Sequence, residues 1–279
     1  MLERSCPVSA ALAVLAAVLA AGCADHTPAG ALPGEGFPPV PACSGDNDGV
    51  VDPGELDFTP GRVAPYAVQA EGQPPVEDRG DAASGAGSWD FSATGFDRLE
   101  QVPLLDPRRQ WYAEQLPTAS LALLLSGGDP AAAEPSPPPS HLLLHAEPTA
   151  LSIVGVASVE PERLLLIYAK PVPLMRFPLA LGQRWLATTG FAAGSVLEGI
   201  PLAAALEDGY TLAVDGRGTM RLPGMWIEQV LRLSVRLERR LQGRTVWQST
   251  ETYLMHECLG TVAHRNGPAD PWWVVWYPM

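Results

Sequence analysis

Apolar and polar residues alternate most cleanly over Val230–Leu241 (VLRLSVRLERRL). Leu231, Leu233, Val235 and Leu237 fall on one face, while Arg232, Ser234, Arg236 and Glu238 fall on the other. Period two predicts a half-buried antiparallel strand. Gln242-Gly243-Arg244 turns the chain, and TVWQSTETYLMHE runs back as the second arm of a hairpin. YTLAVDGRGTMRL predicts another hairpin, with Asp215-Gly216 as its turn and Gly218 free to take a positive φ. LPGMW then makes the next corner.

Further strands are predicted at LALLLS (121–126), HLLLHAEP, LSIVGVASV, RLLLIYAKPVPLM and the terminal WWVVWYP. Helical periodicity is scarce. LDPRRQWYAEQLP, near 105–117, fits one helical turn or an edge strand, and RWLATTGFAAGSVL reads as strand and loop. No repeat of 20 to 50 residues stands out. The expected class is mainly β: a single curved antiparallel sheet or partly open β-barrel with few short helices. Residues 59–279 form this domain, interrupted by Pro- and Gly-rich insertions near 69–88 and 127–140.

The N-terminus does not belong to that pattern. Residues 1–22 combine one arginine with the apolar run AALAVLAAVLAAG, too short to span a bilayer, which takes about 20 apolar residues. The run ends in LAAGC, which resembles a bacterial lipobox. The resemblance implies a signal peptide over 1–22 and lipidation of Cys23, whose acyl chains anchor the protein in a membrane. Ala24, rather than aspartate, follows the cysteine, and by resemblance to Gram-negative lipoproteins this favours the outer membrane, periplasmic or surface-facing. Residues 23–42 are rich in Pro, Gly and Ala and read as a flexible tether. Cys6 leaves with the signal and Cys23 takes the lipid, so Cys43 and Cys258 remain as a disulfide in an oxidising compartment. Two unpaired or intermolecularly paired thiols are the alternative.

Charge is lopsided. Residues 23–140 carry 18 acidic and 5 basic side chains, whereas residues 141–279 carry 12 of each. Such a surface argues against nucleic acid, which needs clustered Lys and Arg. Solvation of an acidic segment is the simplest account, and cation affinity the sharper one.

That affinity has a candidate in CSGDNDGVVDPGE within residues 43–58. A 12-residue calcium loop supplies oxygens from positions 1, 3, 5, 7, 9 and 12 around a glycine at 6. Here those positions fall on Ser44, Asp46, Asp48, Val50 (through its carbonyl), Asp52 and Glu55, with Gly49 at the sharp turn. The stretch resembles EF-hand and dockerin-type calcium loops. It departs from them in Ser44, which replaces an aspartate, and in FPPVPAC, whose prolines forbid an entering helix. A polar turn without an ion fits the same residues. With calcium or without, the stretch reads as a brace where tether meets domain.

Within residues 177–265, FPLALGQRW, YTLAVDGRGTMRLPGMW, VLRL and YLMHECLGTVAHR are spaced as in periplasmic LolA-like and DUF3108-like domains. Gly182 and Trp185, Leu222 to Gly224, and Leu259 to Val262 carry the resemblance. An acidic loop ahead of such a domain is also similar to myxobacterial-type lipoproteins. The resemblance implies a curved sheet that sometimes holds an apolar ligand in its concave face, and it implies no catalysis.

Other chemistry finds little support. His141 and His145, on one face of a strand, stand about 13 Å apart, too far for one metal. His256, Cys258 and His264 lack a fourth ligand at zinc-site spacing. AAGSVLEG around Ser195 is not a nucleophile elbow. Trp272, Trp273, Trp276 and Tyr277 form a C-terminal aromatic cluster, suited either to packing or to stacking on a ligand. The expected function is a non-catalytic envelope lipoprotein with a binding or structural role. The alternatives are an anchored hydrolase with unrecognised carboxylates and a calcium-dependent surface adhesion protein.

Overall fold

The computed structural model describes residues 45–125, 139–161, 163–197, 199–202 and 206–276. The expected signal peptide (1–22), the expected tether (23–42) with Cys23, then Cys43, Ser44, Tyr277 and most of the 127–140 insertion lie outside these residues.

Strands β1 (Val50–Val51), β2 (Val63–Gln69), β3 (Asp78–Arg79), β4 (Gly87–Asp90), β5 (Phe96–Leu105) and β6 (Leu121–Leu125) make up the first part. β7 (Ser140–Glu147), β8 (Ala150–Ser158), β9 (Leu164–Arg176), β10 (Leu179–Ala180), β11 (Arg184–Gly190), β12 (Val196–Leu197) and β13 (Ile200–Pro201) follow. β14 (Leu206–Leu222), β15 (Met225–Leu241), β16 (Arg244–His256), β17 (Gly260–Arg265) and β18 (Trp273–Val275) complete it. Helix among the described residues is limited to single 3-10 turns at Pro53–Glu55, Ala82–Ser84 and Pro107–Arg109.

Sixteen strands form one sheet in the order β13-β12-β9-β8-β7-β6-β5-β2-β18-β17-β16-β15-β14-β4-β3, with β11 also on β14; β1 and β10 pair separately. The sheet curls until its two wings face each other. Leu151, Ile153 and Leu174 of β8 and β9 share one core with Leu212, Leu233 and Val235 of β14 and β15. It does not close into a barrel. Where β9 meets β11, the backbone makes one isolated bridge, Tyr168–Phe191. Side chains fasten the rest: Thr189 Oγ1 accepts the Lys170 N–H at 3.1 Å, and Trp185 Nε1 donates to the Pro173 carbonyl at 2.7 Å. Pro171 and Pro173 deprive β9 of N–H donors along this edge.

The alternation in β15 holds as predicted. Leu231, Leu233, Val235 and Leu237 are buried, each worth roughly 1.5–3 kcal/mol against exposure, while Arg232, Ser234, Arg236 and Glu238 stay wholly or partly open to solvent. Gln242 and Gly243 both take positive φ (50° and 77°), the geometry of a two-residue hairpin turn onto β16. LPGMW is the corner expected, with Gly224 at φ 76° and Leu222 opposite Met225.

Asp215-Gly216 is not a turn. Residues 206–222 form one continuous 17-residue strand, β14, with register shifts beside Val214 and beyond Gly218. The Asp215 carboxylate is taken by cross-strand partners, accepting from Arg232 Nε at 2.8 Å and Ser234 Oγ at 2.9 Å. Gly218 is there for close approach: a Cβ on it would stand 1.9 Å from the Gly87 carbonyl oxygen of β4, the parallel neighbour. The 69–88 insertion is likewise not all loop, since β3, the Ala82–Ser84 turn and the start of β4 form a ribbon on the edge of β14. Residues 105–117 make a 3-10 turn whose continuation packs Tyr112 and Leu116 on the convex side, against Leu143, Val154 and Leu165.

Candidate functional site

Inward-facing residues of the curled sheet do not fill the space they enclose. A cavity of about 430 Å³ remains, walled by leucines such as Leu123, Leu142, Leu166 and Leu174, with Val235 and Leu237 opposite. The volume is within the usual range for small-molecule sites. Leu56, Asp57 and Phe58, which follow the acidic loop, form part of its rim together with Cys258 and Leu259.

One stretch of the wall is polar. Asp208 is fully buried behind Arg239, which donates from Nε to Oδ1 at 2.7 Å and from Nη2 to Oδ2 at 2.6 Å. Tyr168 Oη donates to Asp208 at 2.9 Å and lies 2.7 Å from Tyr210 Oη. Burial works against the Arg239 charge, yet the bonds to Asp208 hold its pKa above the ordinary arginine value. The guanidinium lies between rings, 5.5 Å from the Phe191 centroid and 5.8 Å from that of Trp247. Burial, followed by the Asp208 charge, pushes both tyrosines up.

A second group lies on β16 and β17. Tyr253 Oη donates to Glu251 Oε2 at 2.5 Å, and burial raises the Glu251 pKa despite that bond. His264 stacks on Tyr253 (centroids 6.0 Å apart) and meets Tyr66 edge-on at 5.3 Å. Burial lowers its pKa to about 4, so it is neutral at physiological pH. Tyr168, Tyr210, Arg239, Glu251, Tyr253 and His264 all line the cavity. Of these residues only His264 stands out in the sequence, as a possible metal ligand, yet two of the others leave a signal there. Arg239 continues the phase of Leu233, Val235 and Leu237, and Glu251 shares the phase of Tyr253 and Met255. A charge in the apolar phase marks a buried pair or a lined cavity.

Among the described residues, the C-terminal tryptophans do not share one surface. Trp273 lines the cavity beside His264 (5.4 Å). Trp272 is buried against Phe91 at 5.4 Å, with the Arg265 guanidinium 4.6 Å from its ring, and Trp276 packs near Phe96 at 6.2 Å. Trp272 and Trp276 are therefore packing residues, because alternation along β18 sends neighbouring side chains to opposite faces. His141 and His145 are also separate: the first is buried with Nδ1 2.9 Å from Tyr112 Oη, and the second pairs with Glu147.

The acidic loop is folded against the domain. Gly49 takes φ 78°, as its place at the sharp turn predicts, and Val51 is buried in β1 opposite Leu179. Of the proposed ligands, Asp46 and Glu55 converge with Glu257, one carboxylate oxygen of each lying within 4.8 Å of the others. Asp48 instead accepts the Val50 N–H at 2.7 Å, and Val50 pairs with Ala180. Glu55 is raised by burial and then by the neighbouring charges of Glu257, Asp52 and Asp46, offset by the Asp52 N–H it accepts. Glu257 is the residue that local spacing does not reveal. It stands more than 200 positions away, marked in sequence only by its place beside Cys258.

No protein-family model matches the chain, and neither the curated proteins nor the solved structures contain a significant match to it.

Proposed function

We propose that this chain is a non-catalytic envelope lipoprotein that holds an apolar ligand, such as a lipid, inside its curved sheet. The cavity carries the reading: leucines dominate the enclosed space, and the polar side chains of its wall include two hydrogen-bonded groups. A concave face of this kind is what the LolA-like resemblance implies. The test is binding of a neutral, environment-sensitive naphthylamine fluorophore to the full chain. Saturable binding that weakens in Leu142→Trp and Leu166→Trp, with melting temperature held, supports the reading. Binding indifferent to both substitutions rejects it.

The anchoring is part of the same proposal. Lipidated Cys23 ties the chain to the outer membrane, and labelled fatty acid incorporated by the wild type but not by Cys23→Ser tests it. Cys43 bonded to Cys258 closes the brace. A Cβ on Gly45, two residues from Cys43 in sequence, would stand 2.8 Å from Cys258 Sγ, which supports this pairing. Mass spectrometry of the unreduced protein, read for a linked peptide pair, decides the point. Calcium, if bound at Asp46, Glu55 and Glu257, stiffens this brace, with weak affinity of about 10⁻⁴ to 10⁻³ M suited to extracellular levels.

A further inference from the structure

The charges facing the cavity are unevenly matched. Arg239 is held by Asp208 through two hydrogen bonds, and Arg62, on the rim, is held by Asp57 from both Nε (2.6 Å) and Nη2 (2.5 Å). Both cationic lining residues thus already have a carboxylate. On the acidic side, Glu100 lies 3.3 Å from Arg98, whereas the hydrogen-bond partner of Glu251 is a phenol. His264 is packed by ring faces and carries no charge to offer at neutral pH. The described wall therefore has no spare positive charge and one carboxyl in excess.

We infer that the cavity selects an uncharged amphiphile, one long apolar chain bearing a hydroxyl or ester head, and that Glu251 with Tyr253 forms the head-group contact. This rests on the ligand-binding reading above. An anionic head drawn among these side chains loses its hydration and meets no cation in exchange. A hydroxyl both gives and takes a hydrogen bond, and so does a protonated carboxyl. Burial raises the Glu251 pKa, and Tyr253 fixes one of its oxygens. The other oxygen belongs to a side chain lining the cavity. Tyr210, opposite Leu237 on the same inner face, sets a second hydroxyl in the polar stretch. The acidic balance of the whole chain, −13, acts in the same direction on the approach of an anion.

The experiment is competition against the naphthylamine fluorophore on the full chain at neutral pH, with oleyl alcohol and oleate compared below their micellar range. The alcohol is expected to displace the probe at a concentration lower by a factor of about 10 or more, the discrimination set by the desolvated carboxylate. Oleate equal to or better than the alcohol overturns the inference and leaves the cavity reading intact. A probe that does not bind at all overturns the cavity reading itself, and the inference with it. For the head-group contact, Glu251→Leu should weaken the alcohol roughly five- to tenfold more than it weakens the probe, and Glu251→Gln should retain the alcohol. An alcohol affinity unmoved by Glu251→Leu removes this residue from the contact.

Discussion

Glu257 accepts the Gly49 N–H at 2.9 Å, and its other carboxylate oxygen accepts the Asn47 N–H at 2.8 Å. A side chain only 2% exposed thus organises a loop 208 positions earlier in sequence. In calcium loops of the type this stretch resembles, the first ligand is an aspartate within the loop itself, where this chain has Ser44.

Removing that carboxylate leaves backbone donors without their acceptor. Glu257→Ala is expected to cost about 1–3 kcal/mol, concentrated in the loop. Limited proteolysis reads it: cleavage within residues 45–58 should speed up far more than cleavage in β14 or β15. Equal acceleration everywhere would show that Glu257 supports the whole domain and not this clasp.

Calcium gives a separate measurement on the same residues. Titration calorimetry at millimolar ion is expected to show heat, and melting temperature should rise and fall back on chelation. Asp46→Asn and Glu55→Gln together should abolish both effects. No heat and no thermal shift in the wild type would take the metal out of the account and leave a loop held by Glu257 alone.

The Asp208–Arg239 pair is buried on both sides, so breaking it is expensive. Arg239→Met should destabilise by about 3–5 kcal/mol, because Asp208 is then left charged in the interior. The double variant Asp208→Leu, Arg239→Met should recover part of that loss. Urea unfolding of the wild type and these variants gives the comparison, and a double variant as unstable as the single one contradicts the explanation.

His264 makes stability depend on pH. Its folded pKa of about 4 lies below the ordinary 6.5, so its contribution is present above pH 6.5 and lost as pH falls toward 4. A shift of this size is worth on the order of 3 kcal/mol. Glu251 acts in the opposite sense: its raised pKa favours the folded state below the ordinary carboxyl value and ceases to do so as pH rises through the folded one. Denaturation across the acid range should show a slope that flattens in His264→Phe. An unchanged slope would place the proton elsewhere.

Glycine substitution separates backbone approach from simple flexibility. Gly→Ala at a compatible strand site usually stabilises by about 0.4–1 kcal/mol. Gly190→Ala, with its nearest neighbour 3.8 Å away, should follow that rule. Gly218→Ala should reverse it, since the new Cβ would collide with the Gly87 carbonyl. Melting temperatures of the two variants moving in the same direction would contradict this role for Gly218.

Period-two alternation made most of the sheet legible, and the β15–β16 hairpin could be placed to within a residue. Asp215-Gly216 misled because the same dipeptide that favours a turn also suits a strand whose aspartate finds cross-strand partners and whose glycines admit a neighbouring chain. The cavity was not legible. A leucine that lines an empty space has the same period as one that fills a core, and only the curvature of the sheet distinguishes them. Arg239 and Glu251 were the trace that did exist, charges in the apolar phase. Glu257 left almost none, because a clasp between distant segments has no spacing to read.

The segment that joins the acidic loop to β2 supplies Leu56, Asp57 and Phe58 to the cavity's rim. Along the chain, these residues come after the Glu257 clasp and the Val50–Val51 pairing, and before the first strand of the large sheet. A shift of the loop on the Glu257 clasp is therefore passed along this short segment to the cavity lining before it reaches β2. Mechanically, this part of the cavity lining is in series with the loop, so a displacement of the loop reaches the cavity before it reaches the large sheet.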